Sequence, residues 1–178
     1  MRQNRWTVIG LQSESKKLMM ATESVMNESH ALKCELAAEV LRSSGRLRLQ
    51  VTGWSMLPSI WPGDVLVVKR VDFSKVAAGE IVLFRRNRRL FAHRVVRSDA
   101  SDIVTRGDSM AALDSPVEKD EILGRVTSIM RDGKSLQPRT SLRIRERVVA
   151  GLVQRSGFAA RVLVGARELM QPSGNLTA

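Results

Sequence analysis

The stretch Gly53-Trp54-Ser55-Met56-Leu57-Pro58 sets one serine between a glycine and a proline, just ahead of Gly63-Asp64 and the apolar run Val65-Leu66-Val67-Val68. A free serine hydroxyl is a poor nucleophile and needs a base within hydrogen-bond reach. The chain has two histidines. His93 lies downstream in Leu90-Phe91-Ala92-His93-Arg94-Val95-Val96, followed by Gly107-Asp108 and then Asp114, carboxylates able to orient an imidazole. Serine, histidine and aspartate in these roles form a triad, recognised by role and not by chain order. Upstream, Arg46-Leu47-Arg48-Leu49-Gln50-Val51 alternates polar and apolar residues with a period of two, as a half-buried strand does. That strand delivers the chain to Gly53.

Working outward, short strands follow one another. Val65 to Val71, Ile81 to Phe84, Leu90 to Arg97, Asp102 to Arg106 and Glu121 to Met130 are read as strands. Trp61-Pro62-Gly63-Asp64 and Val76-Ala77-Ala78-Gly79-Glu80 are turns by composition. Arg85-Arg86-Asn87-Arg88-Arg89 is a basic hairpin tip, and Asp132-Gly133 is a hairpin signal leading to Lys134-Ser135-Leu136. Many short strands at this spacing predict a mainly β, barrel-like or coiled-sheet core.

Five segments then stand in order: Gly53 to Ser59, Gly63-Asp64-Val65, Gly79 to Phe84, His93-Arg94-Val95-Val96, and Arg106-Gly107-Asp108 with Asp114. Together they resemble the ordered boxes of signal peptidase I, in the archaeal and endoplasmic-reticulum subtype that uses histidine where the usual bacterial subtype uses lysine. The resemblance covers roughly Leu49 to Val126. It implies a coiled β-sheet fold, shared with LexA-like repressors, with flanking N- and C-terminal helices. It also implies a serine endopeptidase that takes an extended peptide, with small residues before the cut, along a sheet edge. By that resemblance Ser55 is the nucleophile and His93 the general base. Asp114, the second carboxylate of a pair six residues apart, is the triad acid, and Asp108 supports it. Read locally, Gly107-Asp108-Ser109 is also a good turn. Gly53, Trp54, Met56 and Pro58 are assigned to substrate binding, with Met56, Leu57 and Pro58 as pocket wall and turn scaffold. The Ser55 N–H would serve the oxyanion. The serine that many bacterial signal peptidases place two residues before the nucleophile is Gly53 here, so that hydroxyl donor is absent. Arg94 follows His93 on a strand and so faces the other side.

Composition narrows the partners. One cysteine, Cys34, excludes an intrachain disulfide, and two distant histidines make no zinc site. No metal and no cofactor is expected. The formal net charge of +11 suits an acidic partner, nucleic acid or an anionic lipid surface. No stretch has the run of roughly 20 apolar residues a spanning helix needs, and no signal-peptide core follows Arg2 and Arg5. The expected setting is cytoplasmic or peripheral to a membrane, a departure from membrane-anchored signal peptidases.

Residues 1–28 are mixed and polar, read as disordered or loosely helical. Residues 29–137 are assigned to the peptidase domain. They open with a helix over Glu28 to Arg42 that Ser29 caps and Gly45 ends. His30 falls in its first turn and is read as neutral or solvated, without a catalytic part. Residues 138–178 form a basic extension with helical spacing from Leu142 to Met170, one helix or two broken near Ser156-Gly157. Its arginines invite contact with an anionic membrane; packing on the sheet domain or on a second copy is the plainer role. The expected partner is a peptide or preprotein, with nucleic acid disfavoured. Two other functions compete. A self-cleaving LexA-like regulator needs an Ala-Gly or similar bond in a linker before the serine, and the only Ala-Gly is Ala78-Gly79, downstream. A non-catalytic basic module would bind nucleic acid or lipid through Arg85 to Arg89 and the C-terminal arginines, with steep salt dependence.

Overall fold

The computed structural model describes residues 5–142 and 144–155. Helix α1 (Arg5–Ser44) leads into seven strands: β1 (Arg46–Gln50), β2 (Val65–Lys69), β3 (Ile81–Arg86), β4 (Arg89–Ser98), β5 (Ile103–Arg106), β6 (Ile122–Arg131) and β7 (Lys134–Leu136). Helix α2 (Ile144–Arg155) follows. The strands form one antiparallel sheet in the order β1-β2-β6-β3-β4-β5, with β7 on β6. The fold is the mainly β architecture expected from the strand spacing, with a helix on either side as the spacing of the flanking segments predicted.

Alternation sorts the sheet into two apolar clusters. One gathers Leu41, Met56, Ile60, Leu66, Val68, Ile81, Leu83, Val126 and Ile129, with Leu47, Leu49, Leu90 and Ala92 packed against it. The other gathers Val82, Phe84, Val95, Ile103 and Val117, with Phe91 at its margin. Neighbours on β3 therefore serve opposite faces, as a period of two requires. The β3–β4 register pairs Val82 with His93 and Ile81 with Arg94.

The helix read from Glu28 is the end of a longer one. Residues 5–28, read as disordered or loosely helical, are helical and continuous with the helix read from Glu28, so the boundary drawn at 28/29 falls inside α1. The physical reason is propensity: between Leu11 and Ser44 there is no Gly or Pro, and Ala, Leu, Met, Glu and Lys are frequent. Among the side chains described, α1 is buried in its last turns, through Cys34, Ala37 and Leu41, while Met19, Met26, Leu32 and Leu36 are exposed. Gly45, at φ +67°, ends the helix by donating its N–H to the Leu41 carbonyl (3.1 Å). Its own carbonyl accepts the Arg70 N–H (2.9 Å), which turns the chain onto β1 beside β2.

Helix α2 packs Val153 and Val149 against Leu57 and Trp61. The described part of the basic extension therefore lies on the serine-bearing loop. The rest of the helix expected up to Met170 lies outside the described residues.

Candidate active site

The loop after β1 is a closed lobe. At its base the Val51 N–H donates to the Asp64 carbonyl (2.9 Å) and the Gly63 N–H to the Val51 carbonyl (2.8 Å). The Asp64 side chain is buried and accepts from the Trp61 N–H (2.8 Å) and from Arg131, whose Nη2 lies 2.6 Å from Oδ2. Arg131 also donates to the Ser59 carbonyl (3.0 Å). Met56 and Ile60 anchor the lobe in the core. Removing either partner of so buried a pair would strand an uncompensated charge, so the contact holds the lobe closed. Ser55 rides on a scaffold fixed at both ends.

A second loop supports the serine from below. The Ser109 N–H donates to the Ser55 carbonyl (3.0 Å) and the Ser109 hydroxyl to the Trp54 carbonyl (2.9 Å). Gly107 lies so close that a Cβ there would sit 2.6 Å from the Ser55 carbonyl oxygen and 3.1 Å from its Cβ. Among the described residues the Ser55 N–H donates to no backbone or side-chain acceptor, which leaves it available to an oxyanion.

His93 sits on β4 just before β5 begins to pair, at Arg94↔Arg106. Its ring is buried and flanked by Phe84 and Phe91, at centroid distances of 5.9 and 5.8 Å. Nε2 is 3.0 Å from the Ser55 Oγ and Nδ1 is 2.7 Å from the Asp114 Oδ2. An ionised carboxylate only accepts, so Nδ1 carries the hydrogen and a neutral ring leaves Nε2 free to accept the serine proton. Asp114 Oδ2 also accepts from the Thr105 hydroxyl (2.7 Å), and the Asp114 N–H donates to the Thr105 carbonyl (2.9 Å). Burial pushes the Asp114 pKa up, but the hydrogen bonds from His93 and Thr105 and the charges of His93 and Arg86 outweigh it. The net result lies below the ordinary value, so Asp114 is an anion at neutral pH.

Asp108 is elsewhere. It takes a two-pronged bond from Arg94, Nε to Oδ1 and Nη2 to Oδ2, both 2.8 Å, in a pair almost closed to solvent. Arg94 also donates to the carbonyls of Gly79 (2.9 Å) and Arg139 and to the Ser59 hydroxyl (3.2 Å). Of the two carboxylates, Asp114 touches the imidazole and Asp108 braces the loop that carries Gly107 and Ser109.

The expected substrate wall divides. Trp54 is exposed and nothing lies within 4 Å of a Cβ built on Gly53, so both border open space. Met56 is only 3% exposed and belongs to the core, because its side chain points under the lobe. Pro58 accepts the Trp61 indole N–H (2.8 Å) and lines a cleft with Ser59, Arg131, Pro138, Arg139 and Glu146 that includes none of the three reacting groups. His30 is half-buried on α1. Sequence reasoning missed Thr105, Gly107 and Arg86. For Thr105 a signal existed, since alternation puts it on the same face as apolar Ile103. Among the described residues no cluster of three or more metal-ligating side chains exists.

A serine, an imidazole and a carboxylate in one hydrogen-bonded row, on an antiparallel sheet, make a site of the serine peptidase type. The family model described as Peptidase S24-like matches residues 15–127, so the chain belongs to the Peptidase S24-like family. No curated protein matches the chain significantly.

Proposed function

We propose that this chain is a serine endopeptidase of signal-peptidase-like specificity, cutting an extended peptide or preprotein after small residues. The observation that carries the reading is the row Ser55 Oγ–His93 Nε2 (3.0 Å) and His93 Nδ1–Asp114 Oδ2 (2.7 Å). Ser55 Oγ attacks the scissile carbonyl carbon while its proton passes to His93 Nε2. Asp114 holds the ring and stabilises the imidazolium. The Ser55 N–H binds the oxyanion. As the C–N bond breaks, His93 returns the proton to the leaving amine. A water molecule then attacks the acyl-serine carbonyl carbon and gives a proton to His93; as the ester C–O bond breaks, His93 passes that proton to the Ser55 Oγ and the acid product leaves.

Two features favour an extended substrate. Among the described residues no strand pairs with the β4 edge from Arg89 to His93 opposite β3, since β5 pairs only from Arg94 onward. The open space beside Gly53 lets a peptide backbone approach.

Family membership also favours a second reading, self-cleavage. Ala78-Gly79 is a poor cleavage site for it. The Gly79 N–H is bonded to the Val95 carbonyl (2.8 Å), and Gly79 packs against Thr140. Contact with an anionic surface, if it is part of the function, runs through arginines and not through Val149 and Val153, which α2 uses against Leu57 and Trp61.

The test is incubation of the wild type and variants with an Ala-x-Ala peptide library, read by mass spectrometry. Ser55→Ala and His93→Ala each lower cleavage at least about a thousandfold with the fold intact, and Asp114→Asn lowers it by up to about four orders of magnitude. Turnover undiminished in Ser55→Ala sinks the peptidase reading. Cleavage of the chain's own bonds with no cleavage of the library selects the self-cleaving one.

A further inference from the structure

Asp114 sits at the head of a segment that leaves β5 and returns to the sheet at β6. Its first residues are tied to β5 by Asp114 N–H to the Thr105 carbonyl (2.9 Å) and Val117 N–H to the Ile103 carbonyl (2.7 Å). Its last residue, Glu121, accepts the Arg85 N–H on its carbonyl (2.9 Å). The middle is closed by one side chain, Arg86, from the end of β3. Arg86 Nε and Nη2 take the Glu121 carboxylate in a fork (2.8 and 2.5 Å). Nη1 donates to the Ser115 carbonyl (2.9 Å) and Nη2 to the Pro116 carbonyl (2.7 Å). The guanidinium also lies 5.5 Å over the ring of Phe84, one of the two rings that flank His93. Glu121 is held in turn by the Glu118 N–H (3.0 Å).

We propose that Arg86 is a positioning residue for catalysis, fixing Asp114 against His93 by pinning the two peptide carbonyls that follow it. The proposal rests on the Ser-His-Asp reading above. Serving two carbonyls and both oxygens of a carboxylate at once takes a planar, multi-donor group. Lysine carries the charge without that geometry. A surface ion pair that only staples a loop is worth little. The Arg86–Glu121 pair differs in place: it is half-buried and its contacts begin at the residue after Asp114. The same charge favours the Asp114 anion.

The first readout needs no substrate. In the full chain carrying Ser55→Ala, the His93 Nδ1 proton bonded to Asp114 is expected as a far-downfield proton NMR resonance. Adding Arg86→Met is expected to broaden or abolish it while circular dichroism is unchanged. In the chain with Ser55 present, Arg86→Met is expected to lower kcat about 10- to 100-fold, as a displaced catalytic group does, with KM within about twofold. Arg86→Lys is expected to fail in the same direction, and Lys75→Ala, which breaks an exposed pair with Asp72, to leave both readouts alone. An unchanged resonance and unchanged kcat in folded Arg86→Met overturn the proposal. If that variant does not fold, Arg86→Lys and Glu121→Gln carry the test, and a resonance untouched in both overturns it. Absence of the resonance in the parent chain overturns the His93–Asp114 bond itself, and the triad reading with it.

Discussion

Gly107 has room for a hydrogen and nothing larger on the side that faces Ser55. A methyl there would press 2.6 Å from the Ser55 carbonyl oxygen, a backbone atom that a rotamer change cannot move aside. Gly107→Ala is expected to displace the nucleophile and lower kcat by about 100-fold. Gly53→Ala is the contrast: its Cβ meets open space, so Tm stays within about 2 °C and the loss falls on KM. Steady-state kinetics with thermal melts on both variants check this pair. Asp114 makes the pH prediction. Its pKa is depressed in the fold, so it stabilises above the unfolded value of about 3.9 and that share is lost as pH falls through the folded value. Urea midpoints measured from pH 6 downward are expected to fall more steeply for the wild type than for Asp114→Asn. The three reacting residues were legible because each belongs to a short run with its own chemistry. The roles of Gly107 and Arg86 were not, since a glycine and an arginine are common and only three-dimensional neighbours distinguish them; Thr105 showed only an alternation that puts it on the face of Ile103.

Among the elements, the strands were legible and the long helix was not. Alternation in Arg46 to Val51 and the apolar run from Val65 mark half-buried and buried strands, and both are in the sheet within two residues of the reading. The basic tip Arg85 to Arg89 folds as a two-residue turn with Asn87 and Arg88 at positive φ, a conformation Asn tolerates well. Helix α1 fails the periodicity test along most of its length because most of it has no sheet beneath it, so no apolar stripe is demanded there. Only near its end does burial impose a pattern. Leu41→Ala, in the core with Met56 and Ile60, is expected to cost about 2–5 kcal/mol in chemical denaturation, and Leu32→Ala, exposed, less than about 0.5 kcal/mol.

Over the whole molecule, charge and site make separate claims. The +11 balance would give phosphate binding that weakens steeply with salt. Peptide cleavage governed by the Ser55–His93–Asp114 row is expected to change less than about threefold between 50 and 300 mM salt, because an uncharged peptide releases few counterions. A cleavage rate that collapses over that range, with Ser55→Ala still binding a nucleic-acid or anionic-vesicle probe, would favour the binding-module reading. No described helix is long and apolar enough to cross a membrane. One property of the sheet has a bearing on how the chain reaches its working form. His93 and Arg94 are adjacent and face opposite ways, each with its own aspartate. If β4 slipped by one residue along β3, a guanidinium would swing into the imidazole's place and both carboxylates would lose their mates. Misaligned molecules would thus be inert as well as strained, and hydrolysis would come only from correctly zipped copies.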